Sequence, residues 1–149
     1  MKPVGARRGV EHLDRAECLR RLGAHRVGRV GLSVGGRPEI FPVNYVFDGE
    51  AIVFRTDPGT KLDAAGRADV CFEIDELDHE FHSGWSVVAH GRLEELTRYL
   101  GPDAQRGFAL PVDPWAQGLK AHWLRIVPGY VSGRRIGPEI ARQFFESTV

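Results

Sequence analysis

The sequence predicts a mainly β protein with peripheral helices, a small antiparallel barrel of six short strands. Three observations carry this. Six short segments read as strands, four of them with the period of two that half-buries a strand, and 18 glycines spread along the 149 residues punctuate short elements. Gly91 interrupts the run from Gly84 to Leu96, where a sheet that curls on itself needs a bulge or bend.

Residues 1–13 are basic and without periodicity through residue 12, so they are expected to be a mobile arm ahead of a single domain spanning 14–149. Asp14, with Glu17 three residues on, starts a helix; Cys18, Leu19 and Leu22 share one face, and Gly23 is a natural stop. Val30, Leu32 and Val34 alternate with Gly31 and Ser33 up to a Gly35-Gly36 hairpin turn. The partner strand carries Phe41, Val43, Tyr45 and Phe47, and Asp48-Gly49 turns the chain into Ile52-Val53-Phe54. Pro42 lacks a backbone donor, which places it at an edge, a bulge or a ligand-facing gap.

Asp57-Pro58-Gly59 then opens a short helix with Leu62, Ala64 and Ala65. Val70, Phe72 and Ile74 alternate in a fourth strand that ends in the acidic run Asp75-Glu76-Leu77-Asp78. Trp85, Val87, Ala89 and Leu93 share one side of the fifth. A helical piece over residues 98–110 and a turn-rich loop over 111–118 lead to the last strand, Trp123 to Val131. Pro138, Ile140, Phe144 and Phe145 mark a closing helix.

Length and composition narrow the function. A chain of 149 residues can bury a core without disulfides or metal. Twenty basic residues balance twenty acidic ones, which argues against nucleic-acid or membrane-surface binding; the basic 1–29 and acidic 48–80 stretches read as solvated faces. Cys18 and Cys71 stand alone, no N-terminal apolar leader is present, and no stretch suits a membrane span, so a cytoplasmic protein is expected.

The turn after the third strand carries the strongest chemical signal. Gly59, Thr60 and Lys61 would offer amides, a hydroxyl and an ammonium at a helix start, with Arg55 and Thr56 on the strand before it, a grouping suited to one anionic group. The same residues also read as a helix cap, Thr56 and Asp57, beside a solvated lysine. Asp78, His79, Glu80 and His82 have metal-ligating side chains but sit in a turn between strands, so no metal site is expected. His25, His90 and His122 have no neighbouring nucleophile, and no P-loop is present.

Taken in order, Val27-Gly28-Arg29-Val30, Pro42-Val43-Asn44-Tyr45, Phe54-Arg55-Thr56 with Gly59-Thr60-Lys61-Leu62, Gly84-Trp85-Ser86-Val87, Pro114-Trp115-Ala116 and Ser132-Gly133-Arg134-Arg135 resemble the pyridoxamine 5′-phosphate oxidase-like family of flavin-binding split barrels. The resemblance runs from about Asp14 to Ile136. It implies a six-stranded split barrel whose two chains pair as a homodimer around flavin mononucleotide (FMN). It would set the phosphate against Lys61 and the turn around Thr60, include Leu62 in the cofactor site, place Arg55 and Thr56 beside the ring or ribityl chain, and line the ring with Pro42, Val43 and Asn44. Trp85 and Ser86 would approach from the fifth strand, while Trp115 and Trp123 stay unassigned and, with Arg134 and Arg135, are candidates to reach the partner's groove. No run resembling the Arg-Leu-His-Asp-Arg motif of the founding oxidase follows Trp123, which disfavours oxidation of pyridoxamine phosphate. The resemblance therefore implies an FMN-dependent oxidoreductase passing electrons or hydride, from a nicotinamide, to an unknown small substrate. The alternatives are a deazaflavin-dependent reductase and a non-catalytic flavin or haem carrier or sensor, with His79, His82 or His90 as haem ligands.

Overall fold

The computed structural model describes residues 9–67, 69–96, 102, 106–116 and 120–137. In chain order its elements are β1 (Glu11–Leu13), α1 (Arg15–Ala24), β2 (Val27–Val34), β3 (Arg37–Phe47), β4 (Ile52–Thr56), α2 (Thr60–Asp63), β5 (Val70–Asp78), β6 (Ser83–Glu95), a 3₁₀ turn (Arg106–Ala109) and β7 (His122–Ile136). The strands form one antiparallel sheet in the order β1-β7-β4-β3-β2-β5-β6, and β6 pairs back onto β7. Six strands thus close the expected barrel. β1 is an addition on the edge of β7, so residues 11–13, read from sequence as part of a mobile arm, are held in the sheet.

Local sequence explains most boundaries. Asp14 caps α1, its Oδ1 accepting from Glu17 N at 2.8 Å, but the Glu17 carboxylate turns to Arg20 and Arg21 rather than back to the cap. The helix passes through Gly23 and ends where His25 turns extended, one residue beyond the expected stop. Gly35 and Gly36 have φ of 56° and 79°, the left-handed pair that a two-residue hairpin between Val34 and Arg37 requires. Asp48 closes the next turn by accepting from Glu50 N and Ala51 N through Oδ1. Pro42 faces Arg29 of β2, while β4 pairs with β3 only from Tyr45 on, so Pro42 lies at a local edge.

The barrel interior is filled by Tyr45, Phe54, Phe72, Ile74, Leu93, Leu124 and Ile126, with Cys18 and Leu22 of α1 closing one end. A second cluster of Val46, Ala51, Val53, Leu96 and Val112 covers the outer side of β4, which explains why Ile52, Val53 and Phe54 are apolar without alternation. Gly91 is where the β6–β7 register shifts; a Cβ there would sit 2.2 Å from the Val127 carbonyl oxygen, so the strand can bend at this point only without a side chain.

Three expectations change. α2 is a single four-residue turn. β7 continues to Ile136, five residues past the expected Val131, because β6 pairs with it as far as Gly84 opposite Ile136 and β1 adds a second partner for Gly133 to Arg135. Of the helical piece the described residues are Pro102, helical, and 106–110 with the 3₁₀ turn, while its other residues, Gln117-Gly118 and the closing helix from Pro138 lie outside the described residues. Among the described residues no helix is long and apolar enough to cross a membrane.

Candidate functional site

The turn leaving β4 gathers its charge through side chains from three parts of the chain. Arg55 is half-buried; its Nε donates to the Lys120 carbonyl at 2.9 Å and its guanidinium lies 5.0 Å from the Trp123 ring centre. Asp57 Oδ2 meets Lys120 Nζ at 2.5 Å, joining the turn to the chain entering β7. Lys61 is half-buried, with Nζ 4.7 Å above the Phe41 ring. Burial pushes the Lys61 ammonium below its ordinary pKa, the Lys120 charge adds to this, and Asp57 opposes it. Among the described residues, two ammonium groups, Lys61 and Lys120, therefore face the Asp57 carboxylate, with the Arg55 guanidinium held nearby on the Lys120 carbonyl. An anion arriving here would relieve both the desolvation and the repulsion felt by Lys61.

The single turn of α2 changes how an anion is held. So short a helix has little macrodipole, and the amide cradle expected from sequence contributes less than the side chains. Thr60 is exposed at its start, and Leu62 packs against the main core. Thr56 is buried with Oγ1 donating to the Asp57 carbonyl at 3.0 Å, a contact that shapes the turn. On β3, Pro42 is exposed and the Val43 side chain points into the core, which leaves Val43 only its backbone for a ligand. Asn44 Oδ1 accepts from Trp115 N at 2.9 Å, pinning the loop to β3 with Trp115 78% exposed.

Trp85 and Ser86 belong to a different group. Trp85 is buried at the barrel end between the His25 ring, 4.9 Å away, and the Arg21 guanidinium, 4.7 Å from its ring centre. Ser86 is half-buried opposite Asp75 on β5 and Arg134 on β7. Both line a cavity of about 490 Å³ with Leu77, Arg134 and Ile136, bordered by His79 and His82. Asp78 next to these histidines spends Oδ1 on the turn, accepting from Glu80 N and Phe81 N.

The two groups share no residue. Arg55 pairs with Trp123 and Ser86 with Arg134, so their partners on β7 are separated by roughly 35 Å of extended strand. The structure thus brings Arg55, Thr56, Thr60, Lys61 and Leu62 together, sets Pro42, Val43 and Asn44 on β3, and keeps Trp85 and Ser86 apart from the charged turn. Sequence reasoning missed Lys120 and Phe41. Phe41 was legible only as an alternating strand residue, and Lys120 meets Asp57 across 63 positions, a separation no local motif encodes.

A family model described as pyridoxamine 5′-phosphate oxidase matches residues 14–135. An uncharacterized protein of Mycobacterium tuberculosis strain H37Rv is 32% identical over 140 residues, 90% of this chain and 90% of its own. Among solved structures, one from Corynebacterium glutamicum is similar at 34% identity and a TM-score of 0.73, covering 87% of this chain and 100% of that one. The FAD binding protein from Mycobacterium smegmatis is 33% identical with a TM-score of 0.69, covering 85% of this chain and 98% of that one.

Proposed function

The chain belongs to the pyridoxamine 5′-phosphate oxidase family, and on that premise we propose that it is a homodimeric flavoprotein oxidoreductase that binds FMN between two copies. The observation that carries this is Lys61: a half-buried ammonium, held down by desolvation and a neighbouring lysine, in a patch with more positive than negative charge. A phosphate monoester, with its charge close to two, fits that patch. The FAD binding neighbour supports a flavin and makes a flavin dinucleotide the competing form of it.

The remote cavity fits the ring. Leu77, Trp85 and Ile136 supply apolar walls, and Ser86 with Arg134 supplies donors for a polar edge. Because these groups are far apart on one chain, the phosphate turn of one copy is completed by the cavity of its partner. Exposed apolar side chains on the barrel strands, set among charged ones, support this pairing: Val27, Ile40, Leu77, Tyr130 and Ile136 are each at least 41% exposed.

When bound, the flavin supplies hydride and single-electron chemistry. The chain's own residues do the rest: Lys61 and Arg55 anchor the phosphate, Trp85 and its apolar neighbours keep water from the ring, and the remaining cavity admits a small acceptor or a nicotinamide. The deciding experiment is an absorption spectrum of freshly purified protein, followed by heat release and separation of what is bound. Two flavin bands and FMN in the supernatant are expected. Released FAD would replace the mononucleotide, and a single blue-shifted band would mean a deazaflavin. A colourless protein that takes up neither FMN nor FAD would overturn the flavoprotein reading. Oxidation of reduced nicotinamide in an acceptor screen separates an enzyme from a carrier.

A further inference from the structure

The ion pair between Asp57 and Lys120 is the strongest polar contact of the charged turn. It spans the turn after β4 and the segment entering β7, and at 2.5 Å it engages an ammonium whose side chain is only 19% exposed. Lys61 lies close enough to this pair to feel both charges, Lys120 opposing its own charge and Asp57 favouring it. A phosphate entering there would meet Lys61 and Lys120 together and would be repelled by Asp57.

We propose that Asp57 and Lys120 form an exchangeable latch in which Lys120 leaves Asp57 to contact the phosphate of the bound ligand, so that Lys120 adds affinity for the phosphate and Asp57 subtracts from it. This rests on the flavin phosphate reading above. It assigns Lys120 as a second phosphate ligand beside Lys61, and Asp57 as the internal anion that holds Lys120 in the absence of ligand. Exchange of one oxyanion partner for another keeps the partly buried ammonium paired in both states. The other account of the pair is a fixed clasp that only holds the turn against β7. The two accounts differ in the sign of one substitution.

The test is fluorescence titration of the full chain with FMN and with riboflavin, which lacks the phosphate, for the parent and for Lys61→Ala, Lys120→Met and Asp57→Asn. Lys120→Met is expected to weaken FMN about tenfold, the scale of one charge-assisted hydrogen bond, with riboflavin unchanged. Asp57→Asn is expected to tighten FMN several-fold, again with riboflavin unchanged. The anchor for Arg55 is the Lys120 carbonyl, which neither substitution removes, so the turn retains its framework. Parallel weakening of FMN by both variants, or no effect of either, would overturn the latch. If Lys61→Ala weakens FMN while Lys120→Met does not, the latch alone falls. If the parent binds riboflavin as tightly as FMN, the phosphate reading falls and the latch with it.

Discussion

The Tyr45 hydroxyl donates to the Leu22 carbonyl at 2.8 Å inside the barrel, tying β3 to the last turn of α1. Helix-end carbonyls lack intrahelical partners, so this bond satisfies a group that burial would otherwise strand. Burial also pushes the phenol well above its ordinary pKa. Tyr45 is the neighbour of Asn44, and the same bond therefore steadies the strand that lines the candidate site.

Tyr45→Phe keeps the ring packed on Phe72, 4.7 Å away, and removes only the donor. A loss of about 1–2 kcal/mol in urea unfolding is expected, the cost of an unmade buried hydrogen bond. An unchanged midpoint would mean that the carbonyl finds another partner.

Lys61→Ala should weaken FMN binding by about 1.5–3 kcal/mol while leaving the melting temperature of the empty protein within a few degrees. Isothermal titration and thermal melting on the same sample read both. Retention of parental affinity would make Lys61 an ordinary surface lysine.

Glu73 predicts a pH dependence. Its carboxyl is pushed up to about 7, first by burial and then by Asp75 beside it, with Arg29 opposing at 3.2 Å from Glu73 and 3.6 Å from Asp75. A carboxyl with a folded pKa above the unfolded value favours the folded state while protonated, so this contribution is complete below about 4.5 and is lost as pH rises through 7. Glu73→Gln should therefore melt a few degrees above the parent at pH 8 and close to it at pH 5. Equal melting temperatures at both values would remove the burial effect.

Light scattering should give a mass of twice the 16.6 kDa chain. Leu77→Asp, at a side chain 65% exposed beside the cavity, should shift the mass toward one chain and lower FMN affinity at the same time. A strict monomer that holds a full complement of FMN would contradict a site shared between two copies.

Much of the barrel was legible because its signals are local. The alternation in β2, β3 and β5, the Gly35-Gly36 turn, the Asp14 cap and the Gly91 bend each occupy a few consecutive residues whose chemistry has one sensible reading. β1 was not legible: three residues in a basic stretch become a strand only because Gly133 to Arg135 lie opposite them. α2 was read as longer than its single turn because Leu62, Ala64 and Ala65 carry helical spacing, yet it ends at Asp63: Ala65 N bonds back only three residues to the Leu62 carbonyl, and Gly66 N goes to Leu93 of β6. At the site, Arg55 and Lys61 were visible in one motif, whereas Lys120 and Phe41 depend on how distant segments meet.

β7 is the seam of the barrel, bordering β1, β4 and β6, and its position late in the chain has a consequence for synthesis. Until His122 to Ile136 leave the ribosome, β4 and β6 each carry an unsatisfied row of amides and carbonyls, and the apolar interior stays open between them. Ring closure is therefore a late, long-range event, slow relative to formation of the β2–β3 and β5–β6 hairpins. A nascent chain stalled ahead of His122 presents two bare borders, and its favoured fate is to pair with another stalled chain.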